Sequence, residues 1–186
     1  MREIRKRTFM AKNNFVIDYK ALANGRHDFK YRLDSSFFAQ FAESEFQNGK
    51  IELDVVAEIS DYSLKFDFDF KGTVEVECDR CLDLFDLPIE GYFTLNVKFG
   101  DVSSDPAEAD DEIVLSRDEN KIDLAHHIYE YIALSVPARR VHPDGIDGLP
   151  QCNPDMSATL EVLEAHDNVV ETDPRWEQLR NLDMYN

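Results

Sequence analysis

Cys78-Asp79-Arg80-Cys81 is the segment of this 186-residue sequence best suited to chemistry. Two thiolates three residues apart can reach one zinc ion, and this spacing supplies half of many tetrahedral structural sites. The other half must come from elsewhere in the chain. Cys152 is the third and last cysteine, and His142 precedes it in the turn-rich stretch His142-Pro143-Asp144-Gly145. Cys78, Cys81, His142 and Cys152 therefore make up a Cys3His set whose cofactor would be a structural zinc ion. A second reading stands beside it. Cys78 is in phase with Val74 and Val76, so it also reads as a small apolar core residue. A redox dithiol is the weakest of the three, because such a pair sits at a helix start whose dipole lowers the thiolate pKa. Here the pair falls between strand-like runs, 73–77 and Leu82-Asp83-Leu84-Phe85.

Nothing else in the sequence assembles a reaction centre. His126-His127, beside Glu130 and Tyr131, fits core-edge packing on a helix. There is no glycine-rich phosphate loop, no Gly-x-Ser-x-Gly elbow and no His-Glu-x-x-His pair. With 38 Asp and Glu, carboxylate pairs arise by chance and identify no acid and base. The expectation is a protein without catalytic residues.

The elements that must position the cysteines read mostly as strands. Leu64, Phe66, Phe68 and Phe70 alternate with Lys65, Asp67, Asp69 and Lys71, the period-two pattern of a half-buried antiparallel strand. Val74 and Val76 extend it beyond Gly72, with Thr73, Glu75 and Glu77 facing out. Further strands are expected at 51–55 and 93–99, with weaker candidates at 25–33 and 84–90. Strands so closely spaced predict an antiparallel meander or barrel-like sheet, with Phe66, Phe68, Phe70, Phe93 and Val97 buried. Helices are few. Asp34-Ser35-Ser36 predicts a cap for a short helix carrying Phe37, Phe38 and Phe41. Asp123 predicts one over 123–135 that ends before Pro137, and Asp173-Pro174 opens a third with Trp176, Leu179 and Leu182 on one stripe. The fold class is α+β, with a few helices covering the sheet.

This suggests a basic N-terminal arm over 1–12, a single α+β domain over 13–152 and a C-terminal segment over 153–186 ending in a short helix. The domain contains an acidic loop over 101–112. Translation starting at Met10 instead of Met1 would make the first nine residues incidental.

Charge narrows the function. Twenty Lys and Arg against 38 Asp and Glu give a formal net charge of −18, which opposes non-specific attraction to phosphate and to anionic membrane surfaces. Arg139 and Arg140 with nearby His142, and the N-terminal arm, are the local positive faces left for interaction. No stretch reaches 18 uninterrupted apolar residues, and no apolar segment follows the basic N-terminus, so neither a membrane span nor a secretory signal is expected. Three cysteines suit a reducing compartment. A cytoplasmic protein is expected.

Several elements together resemble the large ribosomal RNA subunit accumulation protein family (YceD). Cys78-Asp79-Arg80-Cys81-Leu82 followed by Phe85 is similar to that family's Cys-x-Arg-Cys-x-x-x-Phe signature. Ile122-Asp123-Leu124, then Ile132-Ala133-Leu134-Ser135-Val136-Pro137, then His142 and Cys152, resembles its second block. The ending Asp173-Pro174-Arg175-Trp176 through Leu179 and Leu182 resembles its closing helix. Some relatives carry further cysteines after the histidine, where this chain has Cys152 alone. The resemblance implies a bacterial, non-catalytic factor supporting accumulation of large-subunit (23S) ribosomal RNA, and carries over no catalytic residue or established cofactor. Given the charge, its expected partner is a basic ribosomal protein or large-subunit assembly factor, with ribosomal RNA reached indirectly. The alternatives are a zinc-stabilised interaction module unrelated to ribosomes and, less favoured, an RNA-processing enzyme.

Overall fold

A computed structural model describes residues 7–9, 15–100, 112–145 and 151–167. The basic arm except for Arg7–Phe9, the acidic stretch 101–111 and the expected helix from Asp173 lie outside the described residues. The chain divides into two compact units, one of Met1–Glu77 with Leu84–Arg140 and one of Cys78–Asp83 with Val141–Asn186. This division differs from the one expected from sequence: the Cys78–Asp83 turn groups with the chain beyond Arg140.

The first unit is built on a six-stranded sheet. Its strands are β1 (Arg7–Phe9), β3 (Gly25–Leu33), β4 (Gly49–Ile59), β5 (Ser63–Glu77), β6 (Leu84–Phe99) and β7 (Glu112–Leu115), in that spatial order. β3 to β6 form an antiparallel meander, while β1 and β7 join the edges in parallel. The sheet is open, so of the two expected forms the meander is the one found. A two-stranded antiparallel ribbon joins β2 (Val16–Asp18) to β8 (Lys121–Asp123), a pairing that strands of three residues did not announce.

The expected alternation sets the buried face. Ile51, Leu53, Val55, Ala57 and Ile59 of β4 point inward with Leu64, Phe66, Phe68, Phe70, Val74 and Val76 of β5. Val97 and Leu95 of β6 join them, whereas Phe93 is only half-buried and packs against this core. The runs expected at 64–71 and 73–77 are one strand, and so are those at 84–90 and 93–99. Gly72 does not interrupt β5; it lets β4 approach closely, because a Cβ there would stand 2.1 Å from the Lys50 carbonyl oxygen. Gly91 does the same for the aromatic layer, where a Cβ would meet the Phe70 ring at 2.7 Å.

Helices close the inner face. Asp34 caps α1 (Ser35–Phe38), its carboxylate accepting from the Ser36 N–H at 3.0 Å. α2 (Ala125–Ser135) buries Ile128, Tyr131 and Ile132. Its N-cap is Leu124 instead of the expected Asp123, but the Asp123 carboxylate accepts from the Ala125 N–H at 2.9 Å. Asp123 thus supplies the oxygen that α2 needs while ending β8. The Tyr131 ring stacks on Phe93 at 4.6 Å and lies 5.3 Å from Phe68, so α2 sits directly on the sheet aromatics. The buried Tyr31 hydroxyl has no hydrogen-bond partner among the described residues, and burial pushes its pKa up to about 12. No helix among the described residues is long and apolar enough to cross a membrane.

Phe68, 1% exposed, is filled around on both sheet and helix sides. Phe68→Ala should lower unfolding free energy by about 3–5 kcal/mol in urea titrations. A loss below about 1 kcal/mol would place this ring outside the core.

Candidate metal centre

All four expected ligands belong to the second unit and converge there. The turn Cys78–Asp83 closes on itself through two backbone bonds. The Cys78 N–H donates to the Asp83 carbonyl and the Leu82 N–H donates to the Cys78 carbonyl, both at 2.9 Å. This tight turn brings the two thiols to one side. The distant half is shaped by the Gln151 N–H donating to the Pro143 carbonyl at 3.3 Å, which draws the His142 and Cys152 segments together. Asn153 couples the halves, its amide donating to the Asp83 carboxylate at 3.2 Å.

Asn153 also starts a helix that was not foreseen from sequence, α3 (Pro154–Asp167). Its side-chain oxygen accepts from the Asp155 N–H at 3.1 Å, and proline follows at the first helical position. The Asn153-Pro154 pair is the signal that marked it.

Sγ of Cys78, Cys81 and Cys152 and a ring nitrogen of His142 all lie within 4.8 Å of one another. Cys78 Sγ is 3.9 Å from Cys152 Sγ, and Cys81 Sγ is 3.5 Å from His142 Nδ1. A tetrahedron with zinc–sulfur bonds of about 2.3 Å and a zinc–nitrogen bond of about 2.0 Å has edges of about 3.8 and 3.5 Å. Two of the six separations match those edges and the rest lie within 4.8 Å, so this Cys3His group could close on a tetrahedral metal ion. The three thiols are buried and His142 is half-buried, as a closed structural site requires. Arg80 Nη1 stands 4.0 Å from Cys152 Sγ, placing a cation beside sulfur atoms that would carry negative charge.

The thiols are already unequal. Burial acts to raise the Cys78 pKa, but backbone N–H groups of Cys81 and Arg80, together with His142, outweigh it and bring it down to about 6. Burial pushes the Cys152 thiol up, and neighbouring Cys78 and Cys81 add to that shift. The group is therefore arranged to hold one thiolate before any metal arrives.

The remaining expected site residues lie in the first unit. Arg139 is exposed, while Arg140 Nη2 lies 3.0 Å from Glu45 Oε2, so its charge is already matched. Sequence gave no sign of that pair, since the partners are far apart along the chain. His126 and His127 both approach the Glu130 carboxylate, at 3.1 and 3.4 Å, at the edge of the aromatic layer.

The described residues thus combine an α+β fold built on an open sheet with a Cys3His group that could hold a metal ion. The family model for the large ribosomal RNA subunit accumulation protein YceD matches residues 66–183, more than half of the chain. The chain belongs to that family, as its motifs led us to expect. No curated protein and no solved structure matches it.

Protein purified without chelator should carry close to one equivalent of zinc by elemental analysis, and Cys152→Ser should retain much less. Less than about one-tenth equivalent in the unaltered protein would exclude a structural zinc site. In the metal-free protein the Cys78 thiol should ionise well before the Cys152 thiol. The Cys78 pKa of about 6 lies below the ordinary value of 9.0, so folding favours its thiolate. That contribution to stability is complete above the ordinary value and is lost as pH falls through about 6. Thiolate ultraviolet absorbance should rise by one group near pH 6, with Cys152 following only above its ordinary value. A single step at the ordinary thiol pKa would contradict the arrangement.

Proposed function

We propose that the protein is a non-catalytic, cytoplasmic ribosome-biogenesis factor. It supports large-subunit ribosomal RNA through a basic ribosomal protein or assembly factor, and it reaches the RNA indirectly. In this reading Cys78, Cys81, His142 and Cys152 hold a zinc ion that shapes the second unit and takes no part in turnover. Zinc supplies four-coordinate bonding to thiolate and imidazole; the chain supplies the turn, the buried thiols and the neighbouring Arg80.

Family membership supports the ribosomal setting. The observation that carries the choice of partner is charge, a net −18 that repels phosphate and attracts a cationic surface. On the outer face of the sheet, Asp69 and Glu77 are available to such a surface, whereas the Glu75 carboxylate accepts from the Asn48 amide at 2.8 Å. Asp67 is less so: Lys65 and Thr94 donate to its carboxylate at 2.9 and 2.7 Å. The pairing of Arg140 with Glu45 removes half of the local positive face that direct RNA binding would have used.

The test is a salt titration of the purified protein against total large-subunit ribosomal protein and, separately, against naked ribosomal RNA. Protein binding should weaken steeply with salt, because exposed charges are screened beyond about 8 Å at physiological ionic strength. Neutralising Asp105, Glu108, Asp110 and Asp111 should slow association and flatten that dependence, whereas Arg139→Ala should leave it unchanged. Submicromolar binding to naked RNA in physiological salt, abolished by neutralising Arg139 and Arg140 together, would overturn the reading.

A further inference from the structure

The turn that carries Cys78 and Cys81 also carries a side chain for which the metal-ligand group has no use. Leu82 has a φ of 63°, the one positive value outside glycine among the described residues. Only glycine, and to a lesser degree asparagine, enters this left-handed region without strain from a Cβ. The turn does need the conformation, because the Leu82 N–H closes it onto the Cys78 carbonyl at 2.9 Å. It does not need the isobutyl group, which is 60% exposed. Leucine here is unfavourable twice, as a strained backbone and as apolar surface in water. An outlier of that kind points to a role outside folding.

The composition of the second unit gives that role a direction. Among its described residues the buried ones are Cys78, Cys81 and Cys152 alone, and the hydrophobic core cluster contains none of its residues. Val162 and Leu163 of α3 are exposed, at 61% and 58%. Met156 and Leu160 are half-buried, so among the described residues of the unit the large exposed apolar side chains are Leu82, Val162 and Leu163. Along the chain, residues 78–83, 141–145 and 151–163 carry five carboxylates against one cation, Arg80. Such a surface repels RNA and anionic lipid, and it repels a second copy of itself by the same argument. What it fits is a cationic protein surface with an apolar cleft, since interface energy concentrates in apolar anchors that enter desolvated pockets inside a polar rim.

We propose that Leu82 is the anchor of a docking surface on the second unit, and that its occupant is a lysine- and arginine-rich protein whose apolar cleft receives the leucine side chain. The proposal rests on the protein-contact reading above and adds an apolar anchor to the acidic surfaces named there.

Full-length, zinc-loaded protein is compared with Leu82→Gly and Leu82→Asn, both suited to the left-handed backbone. The probe is total protein stripped from purified large ribosomal subunits. Both variants should keep their zinc and unfold at the same or a higher temperature, yet bind at least about tenfold more weakly. Benzoylphenylalanine at position 82 should photo-crosslink to one basic protein. Binding by both variants within about twofold of the unaltered chain would overturn the proposal. So would crosslinking to RNA or to a second copy, or loss of zinc in both variants, which would assign the side chain to the turn itself. If the unaltered chain binds no basic protein at all, the broader reading fails. Binding that survives both substitutions sinks this inference alone.

Discussion

Strict alternation along β5 is the constraint on which the first unit depends. From Leu64 to Val76 every second side chain is buried except at Gly72. A slip of one residue in either flanking pairing would turn Phe66, Phe68 and Phe70 to water, so register is fixed by the largest apolar groups in the sheet. β4 and β6 inherit that register, with Phe68 opposite Val55 on one side and Phe93 on the other. The same register makes Glu77 and Leu84 the last pair of the hairpin, and so sets how far apart the ends of the cysteine-bearing turn stand.

The outer face shows why so acidic a chain folds. Its cations are spent across strands, Lys30 against Asp54 at 2.6 Å, Arg32 against Glu52 at 3.6 Å and Lys71 against Glu90 at 3.9 Å. Each pair is exposed and contributes little alone. Together they offset like-charge neighbours such as Asp54 opposite Asp69 and Glu75 opposite Asp86. With cations occupied in this way, the excess carboxylates are what the molecule presents to partners.

What was legible in the sequence was local. The alternation of β5, the cap at Asp34 and the stop near Pro137 are each written in residues that touch one another. The metal-ligand group was legible for a different reason: few residue types bind zinc, so three cysteines and His142 stood out as one candidate set beside the core reading of Cys78. What escaped depended on distant partners. The continuity of β6 through Gly91 depends on the Phe70 ring. The β2–β8 ribbon joins segments about a hundred residues apart, and Arg140 finds Glu45 only once the fold exists. α3 was a different kind of miss, since Asn153-Pro154 stood in plain view without an apolar stripe strong enough to follow it.

The order of the ligands along the chain has a consequence for biosynthesis. Every residue of the hydrophobic core cluster lies at or before Ile132. By the time Cys152 leaves the ribosome, the nascent chain already contains all that the sheet and its covering helix require. Domains fold vectorially as they emerge, so the cysteine turn waits on a finished hairpin for its two remaining ligands. A chain cut short before His142 would therefore carry every residue of the core cluster but only half of the Cys3His group.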